Sequence, residues 1–212
     1  MSMWSRGGLV AVIVVPVMAW LAVTAQDAPA PVAPNMAKAA SEFLQALTPE
    51  QKQQATFQYN DSERFNWHFI PRERKGIALR QLQGPAYEAA LKLLASGLSP
   101  EGYEQALAVM SLEEVLYLVE GGDRVARREK RDPKKYYLSV FGTPAESGTW
   151  GWRFEGHHMS LNYTLADGKV VSSTPEFFGS NPANIEAGPG RQIRILAAEE
   201  DLARQILKLS NP

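Results

Sequence analysis

The chain of 212 residues has no cysteine. That excludes disulfides, thiolate metal sites, a cysteine nucleophile and a lipid-modified N-terminal cysteine. Histidine is scarce: imidazole chemistry has only His68, His157 and His158 to draw on. Charge of one sign is lacking too. The 22 basic and 23 acidic residues leave a net charge of −1, so nothing in the bulk electrostatics attracts nucleic acid. With 45% hydrophobic and 21% charged residues, the composition is that of a globular protein able to bury a core without staples.

One long uncharged run is present. After "MSMWSRGG", which carries Arg6 alone, "LVAVIVVPVMAWLAVTA" contains seventeen residues without a charge. Val23 and Ala25 supply the small residues of a signal-peptidase site, so residues 1–25 are expected to be a cleaved signal peptide. The competing reading is an uncleaved anchor, the chain's one route to a membrane, but seventeen residues is short for a span and Pro16 interrupts it. Either way the rest is expected to be exported, periplasmic or secreted. A lone arginine argues against a twin-arginine signal.

Residues 26–35, "QDAPAPVAPN", read as a Pro/Ala-rich spacer. From there, residues 36–212 are expected to form one α+β domain: N-terminal helices, then an antiparallel β-meander, then a C-terminal helix. Phe43, Leu44 and Leu47 share a helical face from about Met36. Thr48 with Pro49 looks like the start of a second helix, running to about Gln58. "RFNWHFIP" alternates like a strand closed by Pro71, and "ALRQL" is a short helical turn or two. "GPAYEAALKLLASGLS" is an amphipathic helix ending near Gly97. Ser99 and Ser111 each suggest an N-cap, hence two helices up to Gly121, with Glu113 and Glu114 favouring the start of the second. The grammar then changes to short aromatic and β-branched segments, with "ADGK" as a hairpin turn. "RQIRILAAEEDLARQILKLS" closes as one helix, or as a short strand and a helix.

The densest chemistry lies in "EGHHMSLNYT". If Gly156–Leu165 is extended, His157, Met159, Leu161, Tyr163 and Leu165 share an apolar face, and His158, Ser160, Asn162 and Thr164 share a polar one. In such a strand adjacent histidines diverge, and only a bulge at Gly156 would re-aim His157. His158 is then the better metal ligand or acid–base group, and His157 a packed residue or an orienter. The plainer reading is two histidines satisfied within a sheet. Ser160 and Asn162 are candidate ligand contacts, and His68, on the polar side of its own segment with Asn66, is a third. Ser160 lies about 7 Å from His158 along a strand, and no nucleophile elbow surrounds it, so serine hydrolysis is disfavoured. Arg153 and Glu155 read as a surface ion pair. "RVARREKRDPKK", seven bases against two acids, reads as a solvated connection without the aromatics of a nucleic-acid surface. "TPEFFGSNPANIEAGPGR" is long for a connector and is expected to act as a lid over the polar face.

The run "YYLSVFGTP…WGWRFEGHHMSLNYT…STPEFFGSNPANI…GPGR…LAAEEDLARQIL" resembles the exported bacterial family known as domain of unknown function 3500, over about Phe43 to Leu209. Gly156, His157, His158, Ser160, Leu161 and Asn162 match its "GHHxSLN" segment. Thr174, Pro175, Phe177, Phe178, Gly179, Asn181, Pro182 and Ala183 match its "TPxFFGxNPA" segment. The resemblance implies that members typically run on into an "EYDN"-like strand and an "NHIHSVWRD"-like segment, so this chain reads as the N-terminal portion of a longer domain, with any further metal ligands in the missing region. Two functions follow as expectations. One is an exported metal-dependent enzyme or metal-binding protein, with His158 and His157 as ligands of Zn, Cu or Fe. The other is a non-catalytic module for a small-molecule ligand, or an inactive short relative.

Overall fold

A computed structural model describes residues 32–210. The expected signal segment and most of the spacer lie outside them. Helix α1 spans Val32–Ala46 and so takes up the end of the expected spacer. Pro34 does not prevent this, because a first-turn N–H has no intrahelical partner to lose. Met36, Ala40, Phe43 and Leu44 form its buried face. Thr48 caps α2 (Pro49–Ala55) in a reciprocal box with Gln51. This helix stops three residues short of the expected Gln58, because the chain straightens into β1 (Thr56–Phe57) and pairs with a later strand.

The "RFNWHFIP" segment is not a strand. A 3-10 turn at Ser62–Phe65 leads into an irregular strap that runs to Gly76. Its alternation is real but serves no ladder: charged side chains beneath hold its backbone instead. Next come β2 (Ile77–Ala78), a 3-10 turn at Leu79–Gln81, and α3 (Gly84–Ser96), which ends at Gly97 as expected. One helix, α4 (Pro100–Val119), replaces the expected pair. Ser111 sits inside it and bonds back to the carbonyl of Ala108 at 2.7 Å, a local bond that lets serine ride within a helix. The basic run folds as α5 (Arg124–Lys130), capped by Asp123.

Strands β3 (Tyr137–Phe141), β4 (Thr149–Gly156), β5 (Met159–Ala166) and β6 (Lys169–Ser172) form the expected antiparallel meander. The "ADGK" turn closes β5 on β6, with positive φ at both Asp167 and Gly168. β1 joins β3 in parallel, and β2 pairs with β3 antiparallel. β7 (Glu176–Phe178) lies along the first part of β5, and β6 along its last. A separate small hairpin, β8 (Ile185–Glu186) and β9 (Gln192–Ile193), precedes α6 (Ala197–Ser210), which realises the strand-then-helix alternative.

The two sheet faces differ in polarity. Leu138, Val140, Trp150, Trp152, Phe154, Leu161 and Leu165 pack with α1, α3 and α4 into one apolar cluster. Each such side chain contributes about 1.5–3 kcal/mol when removed from water. The opposite face carries Ser139, Arg153, Glu155 and Ser160, all buried, beneath the strap.

Candidate functional site: the histidine turn

His157 and His158 are not strand residues. Gly156 pairs directly with Met159, so the two histidines are the two-residue turn joining β4 to β5. From Met159 onward the expected alternation holds, with Met159, Leu161, Tyr163 and Leu165 buried and Asn162 and Thr164 half-buried. A turn this short needs an unusual backbone, and His158 supplies it at φ 59°, a left-handed conformation in which histidine is more frequent than most residues. Gly156 is required for a different reason. A Cβ there would stand 2.3 Å from a ring carbon of Tyr136, whose hydroxyl donates to the carbonyl of His157 at 2.7 Å.

The turn aims the two rings differently from a strand, though they remain 4.1 Å apart, centroid to centroid. His157 is buried. Its Nδ1 meets the Glu113 carboxylate of α4 in a short hydrogen bond. The other oxygen of Glu113 faces Arg131 at 3.4 Å, and Arg131 forks onto Glu120 at 2.9 and 2.5 Å. Glu113 lies inside α4 and Glu120 is the residue that ends it. With Nδ1–H donated to the carboxylate, the nearby Arg131 nitrogen, 3.2 Å away, donates no bond to that atom. Nε2 is the ring's unengaged nitrogen: among the described residues it has no hydrogen-bond partner, and it is not among the atoms sealed from solvent. His157 borders a cavity of about 280 Å³ under the strap, shared with Arg72, Arg74, Glu113, Lys130, Lys135 and Tyr136.

His158 is pinned by its backbone. Its N–H donates to the carbonyl of Phe69 in the strap at 2.7 Å, and its carbonyl accepts from Gly179, just past β7, at 2.8 Å. Its Nδ1 is sealed from solvent without a partner. Burial, and then the adjacent His157, lowers its pKa and favours the neutral ring.

The remaining expected residues go elsewhere. Ser160 and Asn162 bond to each other at 3.1 Å, and the Asn162 amide donates to the carbonyl of Pro175 at 2.7 Å. They therefore tie β5 to the "TPEFF" segment, whose Glu176–Phe178 pairs with β5 as a strand of the same sheet and not as the expected lid. The His68 ring contacts Asn66 and Arg72, not the histidine turn. Its N–H donates to Glu155. Burial and the nearby Arg72 and Arg74 charges lower its pKa.

Arg153 and Glu155 are a buried pair, not a surface one: each is 1% exposed and they stand 2.8 Å apart. Arg153 also bonds Glu63, and Arg74 donates to the carbonyls of His68, Ile70 and Gly156. This network holds the strap down. Among the described residues no three of His, Asp and Glu converge as a metal-ligand set. Glu113 and Arg131 escaped the sequence reading. The one signal of an inward Glu113 was a charged residue at a helix-interior spacing, and a presumed N-terminus at Ser111 masked it.

An α+β domain with a mixed sheet, helices on one face and a strapped polar network on the other is the class this architecture defines. The chain belongs to the protein family of unknown function DUF3500, whose model matches residues 30–211. No curated protein and no solved structure matches it.

Proposed function

We propose that the protein is an exported module that binds a small polar ligand in the cavity beside the histidine turn. One observation carries this reading: Glu113 holds His157 by Nδ1 while Nε2 is unengaged by any described residue, on a side chain bordering a cavity of about 280 Å³. A carboxylate that fixes the tautomer leaves the second nitrogen able to accept a hydrogen bond from a ligand. Arg72, Arg74, Lys130 and Lys135 share the lining with Glu73, Glu113, Glu129 and Asp132, and this balance favours a ligand that carries both signs of charge over a net anion. Export rests on the uncharged run before Ala25.

The metal reading finds less support. His157 Nδ1 is already committed to Glu113, and the turn offers no third ligand. A thermal-shift panel of anionic, zwitterionic and neutral small molecules tests the choice, with metal analysis by mass spectrometry alongside. We expect stabilisation by zwitterionic members and its loss in Glu113→Gln. Stoichiometric Zn, Cu or Fe in the exported protein, absent from His158→Ala, would overturn the binding reading and restore the metal one.

A further inference from the structure

We propose that a second cavity, between the strap and the sheet, binds a small monocarboxylic acid with a flat apolar body, the carboxylate seated on Arg64. The cavity holds about 140 Å³ and is bordered by Phe65, Trp67, Phe141, Asn162 and Thr164 as well as Arg64. The Arg64 guanidinium lies 4.6 Å from the ring centre of Tyr59 and 4.4 Å from that of Phe65. Two aromatic faces thus hold a planar cation in place. No carboxylate among the described residues pairs with it. Glu63, its neighbour in sequence, is occupied by Arg153 and Lys75. The Arg64 Nε is sealed from solvent without an acceptor, which is costly for a charged donor. Its terminal nitrogens are not sealed.

A cation already fixed and short of acceptors is prepared for an anion, and its planar fork matches a carboxylate's two oxygens. The aromatic walls decide the rest of the ligand. One positive charge among apolar rings suits a monoanion with an apolar body, whereas a phosphate dianion would set surplus charge against them. The volume is well below that of a drug-sized site, so the ligand is small. Affinity for such a ligand is expected on the order of 0.1–10 mM. This site is separate from the histidine cavity and stands or falls independently of it.

The experiment is a titration of the full chain with benzoate and hexanoate, followed by the arginine Nε–H and backbone amide signals in two-dimensional ¹H–¹⁵N NMR. The Arg64 Nε–H signal should move saturably, together with the amides of Phe65, Asn162 and Thr164. Benzamide, which keeps the shape and lacks the charge, should bind at least tenfold more weakly. Arg64→Gln should abolish the response. Arg64→Lys, which keeps the charge and loses the fork, should weaken it severalfold and remains informative should the glutamine variant not fold. No saturable shift of Arg64 at 50 mM of either acid, a benzamide affinity equal to that of benzoate, or shifts confined to Glu113 and His157 would each overturn the proposal.

Discussion

At the scale of single residues, the molecule is governed by polar groups placed where a pattern of apolar residues would not put them. His157 is one. It is buried and bonded to Glu113, and Glu113 is only 2% exposed. Removing the ring leaves that carboxylate short of a donor in a low-dielectric setting. His157→Ala is therefore expected to cost about 3 kcal/mol, as for other broken buried pairs. His157→Asp should cost more, because it sets a second carboxylate against the first. Urea denaturation of both variants checks the order; equal stability of His157→Asp and wild type would show that the pair does not hold the turn. His158, at the left-handed turn position, should accept asparagine far better than valine.

At the scale of elements, α4 and α6 differ instructively. α4 is apolar around much of its circumference and buries Ala106, Val109, Met110 and Leu116 while turning Glu113 inward. α6 has a clear amphipathic pattern, yet none of its residues is buried, and Ile206 is 65% exposed. Amphipathicity states that a helix can be buried on one side; the neighbours decide whether it is. Ile206→Ala should change stability by no more than about 0.5 kcal/mol, whereas Leu93→Ala, in the sealed face of α3, should cost about 2–5 kcal/mol. Chemical denaturation of the two variants side by side checks this. A large loss at Ile206 would mean that α6 is covered in solution.

For the whole molecule, stability should depend on pH through the groups that folding has moved. The pKa of His158 is lowered from 6.5 by burial and by His157. Below about 6.5 the unfolded chain binds a proton there that the folded chain does not, so stability falls as pH drops, until the folded pKa is reached. Glu120 acts in the same direction at lower pH. Its bond to Arg131 lowers its pKa, and the stability it provides is lost as pH falls through the folded value. Glu155 opposes both. Burial raises its pKa, so between 4.5 and its folded value the native chain holds a proton that the unfolded chain has lost, and acidification there is stabilising. The net loss between pH 7.5 and 5.5 should be smaller in His158→Asn, which keeps the turn and removes the titrating ring. Thermal unfolding at the two pH values checks this, and an unchanged slope in the variant would remove His158 from the account.

Much of the architecture was legible in the residues themselves. Period-2 alternation placed Met159, Leu161, Tyr163 and Leu165 in the core, Asp167–Gly168 marked its turn, and the capped, periodic α3 appeared where its pattern put it. These depend on neighbours within a few residues, where backbone preference and side-chain spacing act directly. The strand at "RFNWHFIP" and the strand placement of the histidines were misread for a common reason, a local signal outweighed by partners distant in the chain, whereas the junction at Ser111 was misread because the serine satisfies its hydroxyl on Ala108 within the helix. Asn162 and Ser160 were identified as polar-face residues, but that they tie β5 to Pro175 was not. Local sequence determined most of the helices and the strands of the meander, and which face of β5 is apolar. Tertiary structure alone decided that Glu113 meets His157 across 44 residues and that Arg153 reaches Glu63 across 90, because a buried charge takes whichever partner the folded chain brings within hydrogen-bond distance, and sequence spacing does not encode that distance.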